Sequence, residues 1–211
     1  MTTLSRDAVV DVALRMVEDD GVEQLSMRKL AAELGVAVTA IYWHVGNRDA
    51  LLEALVDREI AEMGALRPSG RTPEARLVSI ARALHRKLRA RPHVIGLVNE
   101  RGLTPRLFLP AQAALARELR AAGLDAREAA LAVRAIQYHV IGFAVLERWA
   151  DRSPPPRSTI EELWREHARA ARVDPEVADR LAEPMAAGQV FEFSTRTLVR
   201  SLLQSVSAPD A

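Results

Sequence analysis

Few side chains in this sequence could carry out chemistry, and their spacing narrows what that chemistry is. The chain has no cysteine, which removes disulfides, thiolate metal sites and cysteine nucleophiles and leaves His, Asp and Glu as metal ligands. A helical di-metal carboxylate site needs Glu-x-x-His motifs on facing helices. Ile136 stands three residues before His139, and Ala150 three after Glu147, so that motif is missing. A glycine-rich phosphate loop is missing too. No metal and no cofactor is therefore expected, and a helical-bundle enzyme is the weaker reading. What stands out is Val38, Thr39, Tyr42, Trp43 and His44 within one short stretch. Successive helical residues point about 100° apart. Any one of Tyr42, Trp43 and His44 could pack on a neighbouring helix, but three in a row cannot enter one core. Thr39 and Tyr42, three apart, share a face. Hydroxyls on an outward helical face suit phosphate oxygens or base edges in a DNA groove.

The surrounding elements read as helices throughout, with apolar residues at three and four spacings and no run of period two. Ser5 caps a first helix with a stripe of Val9, Val10, Ala13, Leu14 and Val17, closed by Gly21. Ser26 caps a short helix holding Leu30, Ala31 and Leu34, and Gly35 supplies the positive φ of a turn. A third helix runs over 37–45, with Ile41 inward. Asn47 caps a fourth with Leu51, Leu52, Leu55, Val56 and Ile60. Two short helices around one glycine meet the constraints of a helix-turn-helix at residues 26–45. The polar stretch 67–73 marks a boundary, giving a DNA-binding domain at 1–64 and a second domain at 65–211. There, helices are expected over 75–89, from Pro92, from a Thr104 cap to 122, over 125–151, over 160–171 and over 189–206. Pro154, Pro155 and Pro156 interrupt them, and the segment near Pro184 is irregular. The fold class is all-α: an N-terminal three-helix helix-turn-helix domain linked to a C-terminal helical bundle.

At 211 residues and 49% hydrophobic content, the chain can bury a sizeable core. No stretch approaches the roughly 20 uncharged apolar residues of a membrane span, and the N-terminus lacks a signal-peptide layout. A cytoplasmic location is expected. Net charge is +1, but its distribution is uneven. Residues 1–64 hold six Lys/Arg against twelve Asp/Glu, a balance of −6 that leaves +7 for the rest. DNA binding is largely phosphate neutralisation, so an acidic reading domain requires its charges to segregate by face. Most acids lie in 7–23 and 49–62, whereas Arg28, Lys29 and Arg48 bracket the reading element. A helical interaction module that has lost DNA binding is the rival this balance favours.

The segment SMRKLAAELGVAVTAIYWHVGNRDALLEAL, residues 26–55, resembles the DNA-binding region of the tetracycline-repressor (TetR) family. It shares the LAxxLGV turn, the YWHV end of the recognition helix and the N(K/R)xxLL start of helix four. With helix one, the resemblance covers roughly 5–62. It implies that Arg28 contacts bases or backbone, that Tyr42 and His44 contact phosphate, and that Arg48 clamps phosphate. Ser26 and Trp43 complete the expected DNA-binding set. Tetracycline-binding members have Gln, Pro and Thr where this chain has Val38, Thr39 and Ala40, so a different operator is implied. Val38 and Ala40 can offer only apolar contact, most naturally to a thymine methyl, leaving Arg28 and Thr39 as hydrogen-bonding readers. Gly46 replaces a lysine, which implies a shallower salt dependence.

The resemblance also implies a ligand-responsive regulator, more often a repressor, released from a palindromic operator by a small molecule. A short recognition helix reads few base pairs, so two copies are needed and a homodimer follows. Its expected interface is the 125–151 helix and the terminal helix around Phe191, Phe193, Thr197, Leu198 and Leu202. The second domain has a weaker likeness, resting on Gly142 and Glu147 of a GxxxxE pattern and on helix order. Candidate effector contacts are His85, His93, Glu100, Gln112, Gln137 and His139, with Phe108, Phe143 and Trp164 as cavity walls. Asn99 and Glu147 are further polar groups on the same helices. Tetracycline-binding members use a histidine in the short helix after helix five to help hold magnesium. Here His93 comes several residues early, so neither a metal nor tetracycline is expected.

Overall fold

The computed structural model describes residues 4–99, 102–152, 162, 166–168, 171–183 and 186–204. Among these there is no strand. Ser5 accepts from the Ala8 amide and opens α1, Arg6–Asp20, whose buried stripe is the expected Val9, Val10, Ala13, Leu14 and Val17. A single 3-10 turn at Val22–Gln24 leads to α2, Met27–Leu34, where Ser26 caps through the Lys29 amide. Gly35 stops α2 at φ 66°, ψ 31°. The Val36 amide reaches back to the Ala31 carbonyl and the Gly35 amide to that of Ala32, the paired bonds of a Schellman motif. Beyond its two chain neighbours nothing lies within 4 Å of where a Gly35 Cβ would be, so the backbone angle, not crowding, calls for glycine. The turn sends the chain directly into α3, Val38–Val45, and Asn47 then caps α4, Arg48–Met63.

α1 packs on α2, α3 and α4, closing the head around Leu30, Ile41, Leu51, Leu52 and Leu55, each fully buried. Each such side chain contributes about 1.5–3 kcal/mol by leaving water. The body follows: α5, Pro73–Ala90; α6, His93–Asn99; α7, Thr104–Ala121; α8, Ala126–Arg152; α9, Pro175–Ala182; and α10, Ala187–Gln204. α5 is the central rod, packed against α7, α8 and α10, while α4 and α1 rest on α6 and α4 also touches α7. One continuous core runs through head and body.

Several expectations need correction. Thr104 is the first helical residue of α7 rather than its cap, and its hydroxyl donates to the Val98 carbonyl. α9 was not anticipated, although Asp174 accepts from two amides at its start and Pro175 occupies its first turn. α8 over Ala126–Asp151 is, by length and composition, apolar enough to cross a membrane; in this fold it packs against α5, α7 and α10. Phe191, assigned to the dimer interface, is 4% exposed inside its own protomer, with Thr195 and Val199 below it on the same stripe. Most of the helix expected over 160–171 lies outside the described residues, as does Pro184.

Candidate functional site

The head presents α3 on a rigid base. Ile41 and Val45 anchor it inward, and Thr39, Tyr42 and Trp43 are exposed, Trp43 by 82%. Trp43 lies edge-on to the half-buried His44, ring centroids 4.7 Å apart. A tryptophan so exposed on a helix so well anchored contributes nothing to the head's own core. Val38 departs from expectation: it is half-buried and packs against the hydrophobic core, because the first turn of α3 must also close the turn at Gly35. In the first turn of α2, Arg28 and Lys29 are exposed, and the Lys29 ammonium donates to the Gln24 side chain at 2.9 Å. Arg48 is half-buried. Its guanidinium donates to the carbonyls of Leu25 and Val22 at 3.5 and 3.4 Å, fastening the start of α4 to the loop before α2. In this arrangement Arg48 positions the reading element.

Geometry pairs six of the twelve acids of residues 1–64 with arginines. Asp7 and Asp11 pair with Arg58 within the head. Glu53 and Asp57 on α4 meet Arg106 of α7 at 3.2 and 2.9 Å. Glu59 and Glu62, one turn on, meet Arg91 at 3.1 and 3.3 Å, and Glu59 also touches His93 at 2.7 Å. These acids turn toward α6, α7 and the head's own Arg58, not toward the outward face of α3. Glu59 is a functional candidate the sequence reading missed. Its i, i+4 place among Leu51, Leu52, Leu55 and Val56 on the buried face of a helix was the available signal.

In the body, the proposed effector residues separate into groups. His85, His139 and Phe143 gather around Phe191, which no effector expectation included. His85 stacks on it with centroids 4.0 Å apart, while Phe143 and His139 lie 5.3 and 5.7 Å away. The Thr195 hydroxyl is 3.0 Å from His139 Nε2. Burial pushes the His139 imidazole below its ordinary basicity, and the neighbouring His85 adds to this. Glu147, buried on α8, meets His85 at 2.8 Å and Arg89 at 2.9 Å. Gln112 donates to Gln137 at 2.7 Å, joining α7 to α8. Phe108 is fully buried in the general core. His93 is apart from these, held at the head–body junction by Glu59. Glu100 and Trp164 lie outside the described residues. A cavity of about 300 Å³ opens beside Arg89, lined also by Leu88, Pro92, Ile95, Ala144 and Arg148, at the lower end of the range for small-molecule sites.

Comparison with known proteins agrees with this geometry. Residues 9–55 match the model for bacterial regulatory proteins of the tetR family. An HTH-type transcriptional regulator of Saccharopolyspora erythraea is 31% identical over 173 residues, covering 81% of this chain and 72% of that protein. The class G tetracycline repressor of Vibrio anguillarum is 30% identical over 167 residues, 77% of this chain and 79% of the repressor. Among solved structures, apo ActR from Streptomyces coelicolor superposes with a TM-score of 0.75 at 22% identity, over 98% of this chain and all of that one. ActR has also been solved in complex with actinorhodin, with a TM-score of 0.74 to this chain.

Proposed function

The chain belongs to the TetR family of bacterial regulatory proteins, and from that premise we propose that it is a repressor, binding a palindromic operator as a homodimer and released by a small molecule. The observation that carries this reading is α3: a two-turn helix clamped by Ile41 and Val45 that turns Thr39, Tyr42 and Trp43 to solvent. Thr39 reads base edges, and Arg28, Lys29, Tyr42, His44 and the capped start of α2 at Ser26 engage phosphates. Trp43 lies against the sugar–phosphate backbone.

One head reads too few base pairs for regulatory affinity, so a twofold pair is required. On α8, the exposed Leu131, Tyr138, Leu146 and Trp149 form one apolar stripe, and Phe193 on α10 is 73% exposed. Two copies of α8 and α10 meeting through these side chains make a four-helix interface. The small molecule occupies the body around His85, Gln137, His139, Phe143 and Phe191, reached through the cavity beside Arg89. The complex of ActR with actinorhodin supports small-molecule binding by a protein of this fold. His85 and Arg89, both on α5 and both joined to Glu147, would transmit its arrival along α5 to α6 and the head.

A gel-shift titration with the DNA flanking its own gene tests the reading. A discrete shifted band with a palindromic footprint is expected. Absence of any specific band at low salt would overturn it.

A further inference from the structure

We propose that Glu18, Glu59 and His93 form a binding site for a divalent cation of the zinc class at the junction of head and body. The three come from α1, α4 and α6, and their ligating atoms all lie within 4.8 Å of one another. His93 Nε2 is 2.7 Å from Glu59 Oε1 and 3.9 Å from Glu18 Oε1. Tetrahedral zinc with bonds of about 2.0–2.1 Å sets its ligand atoms about 3.4 Å apart. The two observed separations straddle that value, so a cation would open one contact and close the other by less than about an ångström. One imidazole and two carboxylates are a donor set suited to Zn²⁺ or Co²⁺ and poorly suited to Mg²⁺, which prefers six oxygens.

An ion pair alone leaves the centre of this cluster poorly satisfied. Glu59 is fully buried, and its Oε2 has no hydrogen-bond donor. Arg91 Nε, 3.1 Å away, opposes the charge without a directed hydrogen bond. An ionised carboxylate has about four lone-pair sites, and burying one so sparsely served is unfavourable. A cation at this carboxylate would supply positive charge that the buried group lacks, binding through Oε1 while Arg91 stays beside Oε2 and holds Glu59 to one ligating atom. Access is also present. A cavity of about 350 Å³ borders His93 and Glu18 and is lined further by Asp19, Asp20 and Glu23. It supplies room for a water in the fourth position and an acidic approach for a cation. Occupation would bolt α1 and α4 of the head to α6 of the body.

The test is titration of chelator-treated, full-length protein with ZnCl₂ by calorimetry, and with CoCl₂ by visible absorption, without DNA or effector. Failure here is thereby distinguishable from failure of the regulator reading. One Zn²⁺ per protomer with a micromolar or lower Kd is expected, and the Co²⁺ form should show the absorption of a four-coordinate site. Glu18→Gln and His93→Asn should each weaken binding by at least about tenfold. Glu18 is 44% exposed, so its variant folds even if replacement of the buried His93 does not. No stoichiometric binding up to about 100 μM, or a Kd unchanged by Glu18→Gln, would overturn the proposal.

Discussion

Replacing Arg28 by alanine should flatten the salt dependence of operator binding by a predictable amount. The expectation rests on which head cations meet phosphate. Arg28 and Lys29 are exposed at the start of α2, whereas the Arg48 guanidinium donates to the Val22 and Leu25 carbonyls. A homodimer that neutralises phosphates with Arg28 and Lys29 alone has about four such contacts. At about −0.9 per phosphate, log K falls against log salt with a slope of about −3.6. Between 50 and 200 mM KCl that is a loss of roughly 150-fold in affinity. Arg28→Ala removes two contacts per dimer, giving a slope of about −1.8 and a loss of only about 12-fold over the same range. Arg48→Ala should leave the slope near that of the parent while lowering thermal stability, since it unfastens α4 from the loop before α2. Fluorescence anisotropy of a labelled operator duplex over a KCl series measures all three. A parental slope steeper than about −5, or one that Arg48→Ala flattens as much as Arg28→Ala, would refute the assignment of Arg48 to positioning.

Ile41→Ala should destabilise the protein by about 2–5 kcal/mol in urea, because Ile41 is fully buried where α3 meets the head core; a loss under about 1 kcal/mol would mean α3 is anchored otherwise. Phe193→Asp should leave the protomer folded, given its exposure, yet weaken the dimer. With two copies at a twofold interface and about 2 kcal/mol for each large aromatic, sedimentation equilibrium should register about a thousandfold rise in dissociation constant. His139 predicts a pH dependence. Its folded-state pKa lies below the ordinary 6.5 through burial and then through His85. As pH falls through 6.5, the unfolded chain gains a proton that the folded one does not, so stability drops. Melting temperatures from pH 8 to 5.5 should decline, and His139→Gln should make that decline shallower.

The reading element was legible in the sequence because its determinants are local. The Ser26 cap, the Gly35 turn, the inward Ile41 and the Asn47 cap fall within about twenty residues, and each acts on neighbours in the chain. The body was less legible, because its groups meet across long separations. Nothing near His93 announces Glu59, 34 positions away, and nothing near His85 announces Glu147, 62 positions away. α10 shows how a face is misread. Phe191, Thr195 and Val199 recur at four-residue spacing and enter the protomer's own core, while Phe193 and Thr197 occupy the outer side. Grouping all its large apolar residues as one interface merged two faces. α9 escaped notice because its buried residues are only Ala178 and Ala182, too small to register as an apolar stripe despite a clear Asp174–Pro175 start.

The charge of a whole domain is a poor guide to DNA binding when a second domain is packed against it. Residues 1–64 sum to −6, yet α2 and α3 carry Arg28, Lys29 and His44 against Glu33 as their single acid. Asp7 and Asp11 are matched by Arg58 within the head, and Glu53, Asp57, Glu59 and Glu62 are matched by Arg106 and Arg91 of the body. Apart from those of the buried Glu59, these pairs are solvent-exposed and contribute at most about 1 kcal/mol each, so they do not hold the fold together. Their effect is on orientation. Arginines placed in the head could have matched those acids without linking it to anything. Drawing the matching cations from α7 and from the start of α6 makes head position and charge balance depend on the same contacts. A shift of α6 or α7 must then either carry α4 with it or leave four carboxylates less well matched.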